Sequence, residues 1–174
     1  IIACGESVSS MATYVLKNSS THACIIGEGE ETTASLVQCL IDGDDWKKTE
    51  GIAYKDNGEV KTNPRRNRIR DLDEITYPAW HLFPTELYFE HDVTWIPTPY
   101  RSLPMLATRG CPYTCTFCSS PQMWTTKYSL RKPENILAEM EFHYQKYGVT
   151  SFELFDLSLI HISEPTRLRR ISYA

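Results

Sequence analysis

The amino-acid sequence predicts a mixed α/β fold with parallel strands. Two short apolar runs, residues 1–4 and 23–26, are each followed by a helical pattern. Two more apolar runs, residues 103–108 and 150–156, flank a third helical pattern. Strand–helix alternation of this kind favours crossover connections and a parallel sheet.

Composition is that of an ordinary globular protein. The 174 residues are 41% hydrophobic and carry a net charge of −4, which gives no reason to expect a nucleic-acid partner. No apolar run of about 18 residues is present, so no membrane span is predicted. No signal peptide is visible, and the opening Ile1 suggests a natural N-terminus further upstream. The scattered Cys4, Cys24 and Cys39 read as small buried hydrophobes, which indicates a reducing, cytoplasmic location.

The first elements end at glycine turns. Gly5 closes the first strand and precedes a helix over residues 7–18. Gly27-Glu28-Gly29-Glu30 follows the second strand, and a helix with an acidic first turn runs over residues 31–41. A phosphate cradle is rejected here, because neither G-x-G-x-x-G nor P-loop spacing is present and the acids would repel a phosphate.

Three apolar stripes are predicted to face the core, one on each helix. They are, in order: Val8, Met11 and Val15; Thr33, Val37, Leu40 and Ile41; and Leu137, Met140, Tyr144 and Tyr147. Pro133 suits the first position of the third helix and Gly148 its end.

The middle of the chain reads as a hairpin and a linker. Asn57-Gly58 between two apolar runs is a strong hairpin signal. Four arginines within residues 65–70 precede acids at residues 71–74, which favours a solvated linker over an RNA contact. The proline-broken aromatic stretch 77–84, with Tyr88, Phe89 and Trp95, is expected to pack between domains rather than contact substrate. Single histidines such as His143 are expected to be structural or exposed.

Cys111, Cys115 and Cys118 form a C-x3-C-x2-C loop that places three thiols within eight residues. Thiolates select zinc, copper(I) or iron–sulfur clusters. No cysteine follows Cys118, so three irons of a cubane could be held and the fourth left open, as at reacting metal sites. A zinc knuckle completed by His81 or His91, or a redox dithiol, remains the alternative.

This loop, with Phe117 before its last cysteine and Thr108-Arg109-Gly110 ahead of it, resembles the radical S-adenosylmethionine (SAM) enzymes. The resemblance implies a four-iron–four-sulfur cluster on Cys111, Cys115 and Cys118, whose open iron chelates SAM. It also implies reductive cleavage of SAM to a 5′-deoxyadenosyl radical, with Phe117 beside the adenine.

The glycine-rich turns resemble the second half of the cobalamin-binding domain that precedes the barrel in one branch of that family. The resemblance implies that Gly5, Gly27, Glu28, Gly29 and Glu30 lie along the cobalamin nucleotide tail. Cys4 stands where a glycine is usual, and the first half of such a domain, which carries a cobalt-ligating histidine in some members, is not in this sequence.

The resemblance refines the fold class and the domains. Residues 1–46 are expected to be the C-terminal half of a Rossmann-like (flavodoxin-like) cobalamin-binding domain, and residues 47–100 a hairpin and inter-domain linker. Residues 101–156 are expected to be the first strands of a partial β/α (TIM-like) barrel, whose chemistry lies at the C-terminal strand ends. Asp156, at one such end, is a candidate for holding the amino group of SAM, or equally a structural strand-end acid.

Residues 157–167 closely resemble one reading frame of a transposase-type sequencing adapter. Residues 157–174 are therefore interpreted as an artefactual or disordered tail and excluded from fold reasoning. The alternative is a natural basic tail with Arg167, Arg169 and Arg170.

The predicted function is that of a fragment of a radical SAM enzyme, with cobalamin, that performs methyl transfer or ring-forming chemistry on a small-molecule substrate. A reductant protein such as flavodoxin or ferredoxin is the expected partner, and the fragment alone is expected to be inactive. The alternatives are a radical SAM enzyme without cobalamin and a non-catalytic zinc-stabilised binding module.

Overall fold

The computed structural model describes residues 1–91 and 101–157. These residues form two compact units. The first unit comprises Ile1–Arg70 and Gly110–Lys127, and the second comprises the described residues of Asp71–Arg109 and of the chain from Tyr128 onward. Trp95 and the predicted tail beyond residue 157 lie outside the described residues.

The helices and strands are numbered in chain order. They are β1 Ile2–Ala3, α1 Glu6–Asn18, β2 Ala23–Ile25, α2 Glu30–Asp42, β3 Ile52–Asp56, β4 Glu59–Thr62, α3 Thr85–Glu90, β5 Ser102–Met105, β6 Thr108–Arg109, α4 Ser120–Trp124, β7 Ser129–Leu130, α5 Pro133–Tyr147 and β8 Ser151–Leu154. Within the described ranges, no helix has the length and apolar character needed to cross a membrane.

The first unit contains a four-stranded sheet in the order β1-β2-β3-β4. β1 and β2 pair in parallel, which confirms the predicted crossover through α1. β3 then pairs antiparallel with β2, with Cys24 opposite Ala53, and β4 follows as the hairpin partner. The hairpin therefore extends the N-terminal sheet, because the backbone groups along the free edge of β2 need partners.

Both faces of β2 are buried, as expected for a strand covered on each side. On one face Ile25 packs with Leu36 of α2 and with Ile52. On the other face Cys24 packs with Leu16 of α1 and with Ala53. The two helices therefore cover opposite faces of this central strand.

The predicted stripes of α1 and α2 are partly wrong. Val8 and Val15 pack beside the buried Leu16, but Met11 is 52% exposed. In α2 the buried residues are Thr32 and Leu36, whereas the predicted stripe residues Val37, Leu40 and Ile41 are exposed. In α1 the backbone is not helical at Met11, which has a φ of −125° and a ψ of 29°, so the helical periodicity that the prediction assumed is interrupted there. In α2 it is Leu36, rather than its neighbour Val37, that packs in the core.

The hairpin prediction is confirmed. Asn57 and Gly58 have φ angles of 50° and 86°, the left-handed pair that a two-residue turn between twisted strands requires. Asp56, at the end of β3, lies 2.6 Å from Nζ of Lys47 and 2.5 Å from Nζ of Lys61. Hydrogen bonds from these two ammonium groups lower the pKa of Asp56 from 3.8 to about 2.

This pKa shift predicts a pH-dependent contribution of Asp56 to stability. Because the carboxylate is more acidic in the folded chain, its ion pairs stabilise the fold above about pH 4, and the contribution is lost as the pH falls towards about 2. Replacing Asp56 by asparagine should lower the unfolding midpoint at neutral pH, and this difference should shrink as the pH falls from about 4 through about 2. Urea unfolding of both proteins across this range measures the difference. A difference that is the same at every pH would contradict the assignment.

The second unit is built on the parallel pair β5 and β8, with Leu103 opposite Phe152. α5 connects them and begins at Pro133, and Gly148 ends it in the left-handed conformation, as predicted. The predicted strand over residues 103–108 is divided: the chain leaves β5 after Met105 and re-enters a short antiparallel pair, β6 with β7. Phe89 packs with Leu103 and Trp80 in the core of this unit.

The buried face of α5 differs from the prediction. Leu137 and Tyr144 are exposed, whereas Glu139 and His143 are buried. The reason is a charged side chain: Arg131 inserts beside the helix, donates to the Glu139 carboxylate and lies 3.7 Å from Asp73. A buried guanidinium requires such partners. His143 is fully buried, with Nε2 3.4 Å from a Glu139 oxygen, which fits the predicted structural role. Burial lowers the pKa of His143, although the Glu139 carboxylate acts in the opposite direction.

Candidate functional site

The three predicted ligands lie in the cysteine loop, defined here as residues 110–127 of the first unit. Gly110 opens the loop with a φ of +93° and lies against the backbone of Lys127 at its other end. A Cβ at Gly110 would come closer than 3.0 Å to the Lys127 carbonyl oxygen. The loop therefore closes on itself at a point that only glycine can occupy.

Cys115 and Cys118 flank a tight turn. The backbone N–H of Cys118 donates to the carbonyl of Cys115 at 3.0 Å, so the two thiols belong to one four-residue turn. Cys115 is exposed, Cys111 and Cys118 are half-buried, and all three are free thiols. Thiols that are accessible and close in sequence are available to a soft metal centre.

In the described part of the chain, no group of three histidine, cysteine, aspartate or glutamate side chains lies close enough together to hold a metal ion. The ligand set Cys111, Cys115 and Cys118 therefore stays a prediction. The structure shows that the loop carrying these cysteines is closed at Gly110 and turns between Cys115 and Cys118.

The other cysteines differ from the loop in surroundings. Cys24 is buried in the sheet, and this burial raises the pKa of its thiol, which makes it inert. Cys39 is half-buried. Cys4 is exposed, so its prediction as a buried hydrophobe is wrong. It follows β1, a two-residue strand at the edge of the sheet, and among the described residues its side chain is exposed.

Phe117 projects from the Cys115–Cys118 turn with 91% of its surface exposed. Core packing thus does not account for an aromatic residue at this position. Its predicted place beside an adenine stays a prediction.

Asp156 follows β8 in the second unit. Its carboxylate accepts a hydrogen bond from the backbone N–H of Ala107 at 3.2 Å and another from the Thr108 hydroxyl. These bonds hold the chain where it passes from β5 to β6. These hydrogen bonds are those expected of a structural acid at a strand end, which was the alternative role for Asp156. Its contact with the SAM amino group stays a prediction.

The predicted cobalamin edge contains open and closed positions. Gly5 has a φ of +115°, and a Cβ there would meet no atom within 4 Å. Gly27, with a φ of +86°, faces the Arg65 guanidinium, and Gly29 and Glu30 begin α2. The Glu28 side chain is only 6% exposed, and its carboxylate accepts from the backbone N–H of Ile69 at 2.6 Å.

The arginine-rich segment is not the solvated linker that was predicted. Arg68 is 10% exposed and lies 3.6 Å from Glu28. Arg66 lies 3.5 Å from Glu31. Arg65 donates to the Gln122 carbonyl at 2.7 Å. The sequence shows both the arginines and the acidic Gly-Glu turn with which they pair. It does not show that they pair with that turn, because the acids at residues 71–74 are nearer along the chain.

No protein-family profile matches the chain. Among curated proteins, the chain is 33% identical over 134 residues to an uncharacterised methyltransferase of Pyrococcus horikoshii, covering 77% of the chain and 28% of the relative. It is 35% identical over 153 residues to an anaerobic magnesium-protoporphyrin IX monomethyl ester cyclase of Rubrivivax gelatinosus, covering 85% of the chain and 25% of the relative. The chain thus spans only about a quarter of the length of these relatives.

Solved structures share the fold at lower identity. The radical SAM methyltransferase TsrM of Kitasatospora setae, with tryptophan and a SAM analogue bound, matches with a TM-score of 0.70 and 17% identity over 92% of the chain and 30% of TsrM. The cobalamin-dependent SAM radical enzyme OxsB, with aqua-cobalamin and SAM bound, matches with a TM-score of 0.71 and 20% identity over 92% of the chain and 21% of OxsB.

Proposed function

We propose that the chain is part of a cobalamin-dependent radical SAM enzyme. It is related in sequence to a methyltransferase and to a cyclase, and it shares its fold with a radical SAM methyltransferase and a cobalamin-dependent SAM radical enzyme. The single observation that carries the proposal is the C-x3-C-x2-C loop, closed at Gly110 and turned at Cys115–Cys118, in a chain with these relatives.

The donor set suits an iron–sulfur cluster. Cys111, Cys115 and Cys118 are free thiols on one loop; Cys115 is exposed and the other two are half-buried. Thiolates are the ligands that such clusters use. When bound, a four-iron–four-sulfur cluster with an open iron supplies the electron that cleaves SAM to a 5′-deoxyadenosyl radical. The protein's part is to bind, orient and shield these groups.

Specific roles are proposed for three further features. The exposed Phe117 ring offers a flat apolar surface for an adenine. Asp156 offers a carboxylate for the SAM amino group, in addition to the hydrogen bonds that it accepts from the Ala107 N–H and the Thr108 hydroxyl. The open Gly5 position offers an edge for the cobalamin nucleotide tail, since glycine permits close approach, and the backbone of Gly27 to Glu30 is proposed to continue that edge.

The finer fold assignment is also part of the proposal. The β1–α1–β2–α2 portion would be the C-terminal half of a Rossmann-like cobalamin-binding domain. The parallel pair β5–β8 with α5 would be the first two strands of a β/α barrel. The domain bounds proposed from the sequence are residues 1–46, 47–100 and 101–156.

The reaction proposed for the whole enzyme is methyl transfer or ring formation on a small molecule, in a cytoplasmic setting, with a flavodoxin or ferredoxin as reductant. Methyltransferases and a cyclase among the relatives support this pair of outcomes. Because the chain spans only part of these proteins, cofactor binding is a better test than turnover.

Anaerobic reconstitution tests the proposal directly. The chain incubated with iron, sulfide and reductant should become brown, hold close to four irons and bleach on reduction. Added SAM should perturb the EPR signal of the reduced cluster, because it would bind the open iron. A colourless preparation with one zinc per chain would reject the proposal in favour of the zinc-stabilised module. Equilibrium titration with aqua-cobalamin separately tests the cobalamin assignment.

A further inference from the structure

A buried acid in the turn between β2 and α2 holds the arginine-rich segment. Glu28 accepts from the backbone N–H of Ile69 at 2.6 Å and lies 3.6 Å from Nε of Arg68. Both side chains are nearly buried, at 6% and 10% exposure. A charge pair this deeply buried is costly unless its geometry is specific, so it fixes the position of the Arg68 guanidinium.

The guanidinium of Arg68 then reaches the cysteine loop. Its Nη1 donates to the carbonyl of Lys127, the last residue of the loop. The same group lies over the ring of Trp124, with 5.9 Å to the ring centroid. One side chain thus connects the Glu28 carboxylate to the closing end of the loop.

Arg65 makes a second connection of the same kind. It donates to the carbonyls of Gln122, at 2.7 Å, and of Met123, both near the C-terminal end of α4. Unpaired carbonyls at a helix end favour a cation, so the contact satisfies groups that α4 leaves open.

The glycines on either side leave room for these guanidinium groups. A Cβ on Gly27 would lie 2.8 Å from Nη2 of Arg65. A Cβ on Gly110 would lie 3.1 Å from Nη1 of Arg68. Apart from the arginines, a hydrogen bond of 2.7 Å from the Ser119 hydroxyl to the Glu6 carboxylate joins the cysteine loop to α1.

We propose that Glu28, Arg65 and Arg68 form a brace whose two arginines are positioning residues for the cysteine loop. The brace fixes the half of the loop that follows the cysteines, and so limits where the Cys115–Cys118 turn can lie. The effect of the brace on an iron–sulfur cluster rests on the proposed function. The brace itself consists of contacts within the protein and does not require a cluster. The acidic turn thereby acquires a role toward the loop that is separate from any contact with cobalamin.

Hydrogen–deuterium exchange of the cluster-free 174-residue chain tests the brace. In Arg68→Ala and in Glu28→Gln, the amides of residues 119–127 should exchange roughly tenfold faster, because charge-assisted bonds to the loop are lost. The amides of β2 and β3 should be unchanged. Arg70→Ala is the matched control, since Arg70 belongs to the same segment, is exposed and has no ion pair within residues 1–91 and 101–157. Loop exchange equal to that of the control would overturn the proposal.

A conservative variant covers the case in which Arg68→Ala unfolds the chain. Arg68→Lys keeps the charge, but one ammonium group does not reproduce the planar fork that serves both Glu28 and the Lys127 carbonyl. It should accelerate exchange in the loop while β2 stays protected. Exchange identical to that of the unsubstituted chain would overturn the brace.

A spectroscopic measurement separates positioning from general stability. In reconstituted protein, Arg68→Ala should retain iron yet shift the midpoint potential or broaden the EPR signal of the reduced cluster, whereas Arg70→Ala should do neither. An unchanged signal would overturn the positioning role. Absence of iron from the unsubstituted protein would instead reject the proposed function, and the exchange data would still decide the brace.

Discussion

Replacing Cys115 by alanine is expected to abolish cluster binding by the reconstituted chain. Loss of groups that merely support a ligand already costs about 10- to 100-fold in metal affinity, so loss of one of three ligands should cost more than that. Iron and sulfide content after desalting, together with the visible absorption, measures the effect. Because Cys115 is exposed at a loop turn, the substitution creates no cavity, and the fold should be unaffected.

Cys4→Ala is the matched control for this experiment. Cys4 is also exposed and free, but it lies at the end of β1 rather than in the cysteine loop. The control should retain full iron content and colour. If Cys115→Ala kept its iron, or if the two variants lost it equally, the assignment of the loop as the cluster site would be wrong.

Replacing Gly110 by alanine is expected to displace the cysteine loop. The residue has a φ of +93°, which a side chain adopts only at a cost of about 1–3 kcal/mol. The added Cβ would also overlap the Lys127 carbonyl, a backbone atom that cannot move without opening the loop. The two effects together should lower the unfolding midpoint of the first unit and greatly reduce iron uptake.

Gly58→Ala separates the two effects. Gly58 has a similar φ of +86°, but a Cβ there would meet nothing within 4 Å. This control should therefore show only the conformational cost, about 1–2 kcal/mol, and should keep its iron. Denaturant unfolding and iron analysis of both variants give the comparison. Equal behaviour of the two variants would mean that the close approach at Gly110 does not matter for the loop.

Local sequence signals were sufficient for several elements. The Asn57-Gly58 turn was predictable because its left-handed backbone is a property of the residues themselves. The same is true of α5, whose limits at Pro133 and Gly148 are set by backbone chemistry at the helix ends. The C-x3-C-x2-C spacing likewise indicated the candidate site without any knowledge of the fold.

Features that depend on contacts with residues distant along the chain were predicted less well. Two of the four residues predicted for the stripe of α5, Leu137 and Tyr144, are exposed, because Arg131 binds Glu139 on the buried face of the helix. The sequence also did not determine which acid pairs with Arg68. Nearby acids such as Asp73 were equally plausible, yet Asp73 lies with Arg131 in the second unit.

The sequence by itself determined the strand–helix alternation, the hairpin, the helix ends and the trio of cysteines, since each depends on residues close together along the chain. Only the tertiary structure decided that the arginines reach back to Glu28 and forward to the carbonyl groups of the cysteine loop. The hydrogen bonds that make these connections join residues about 40 to 60 positions apart, so their partners depend on which surfaces folding brings together.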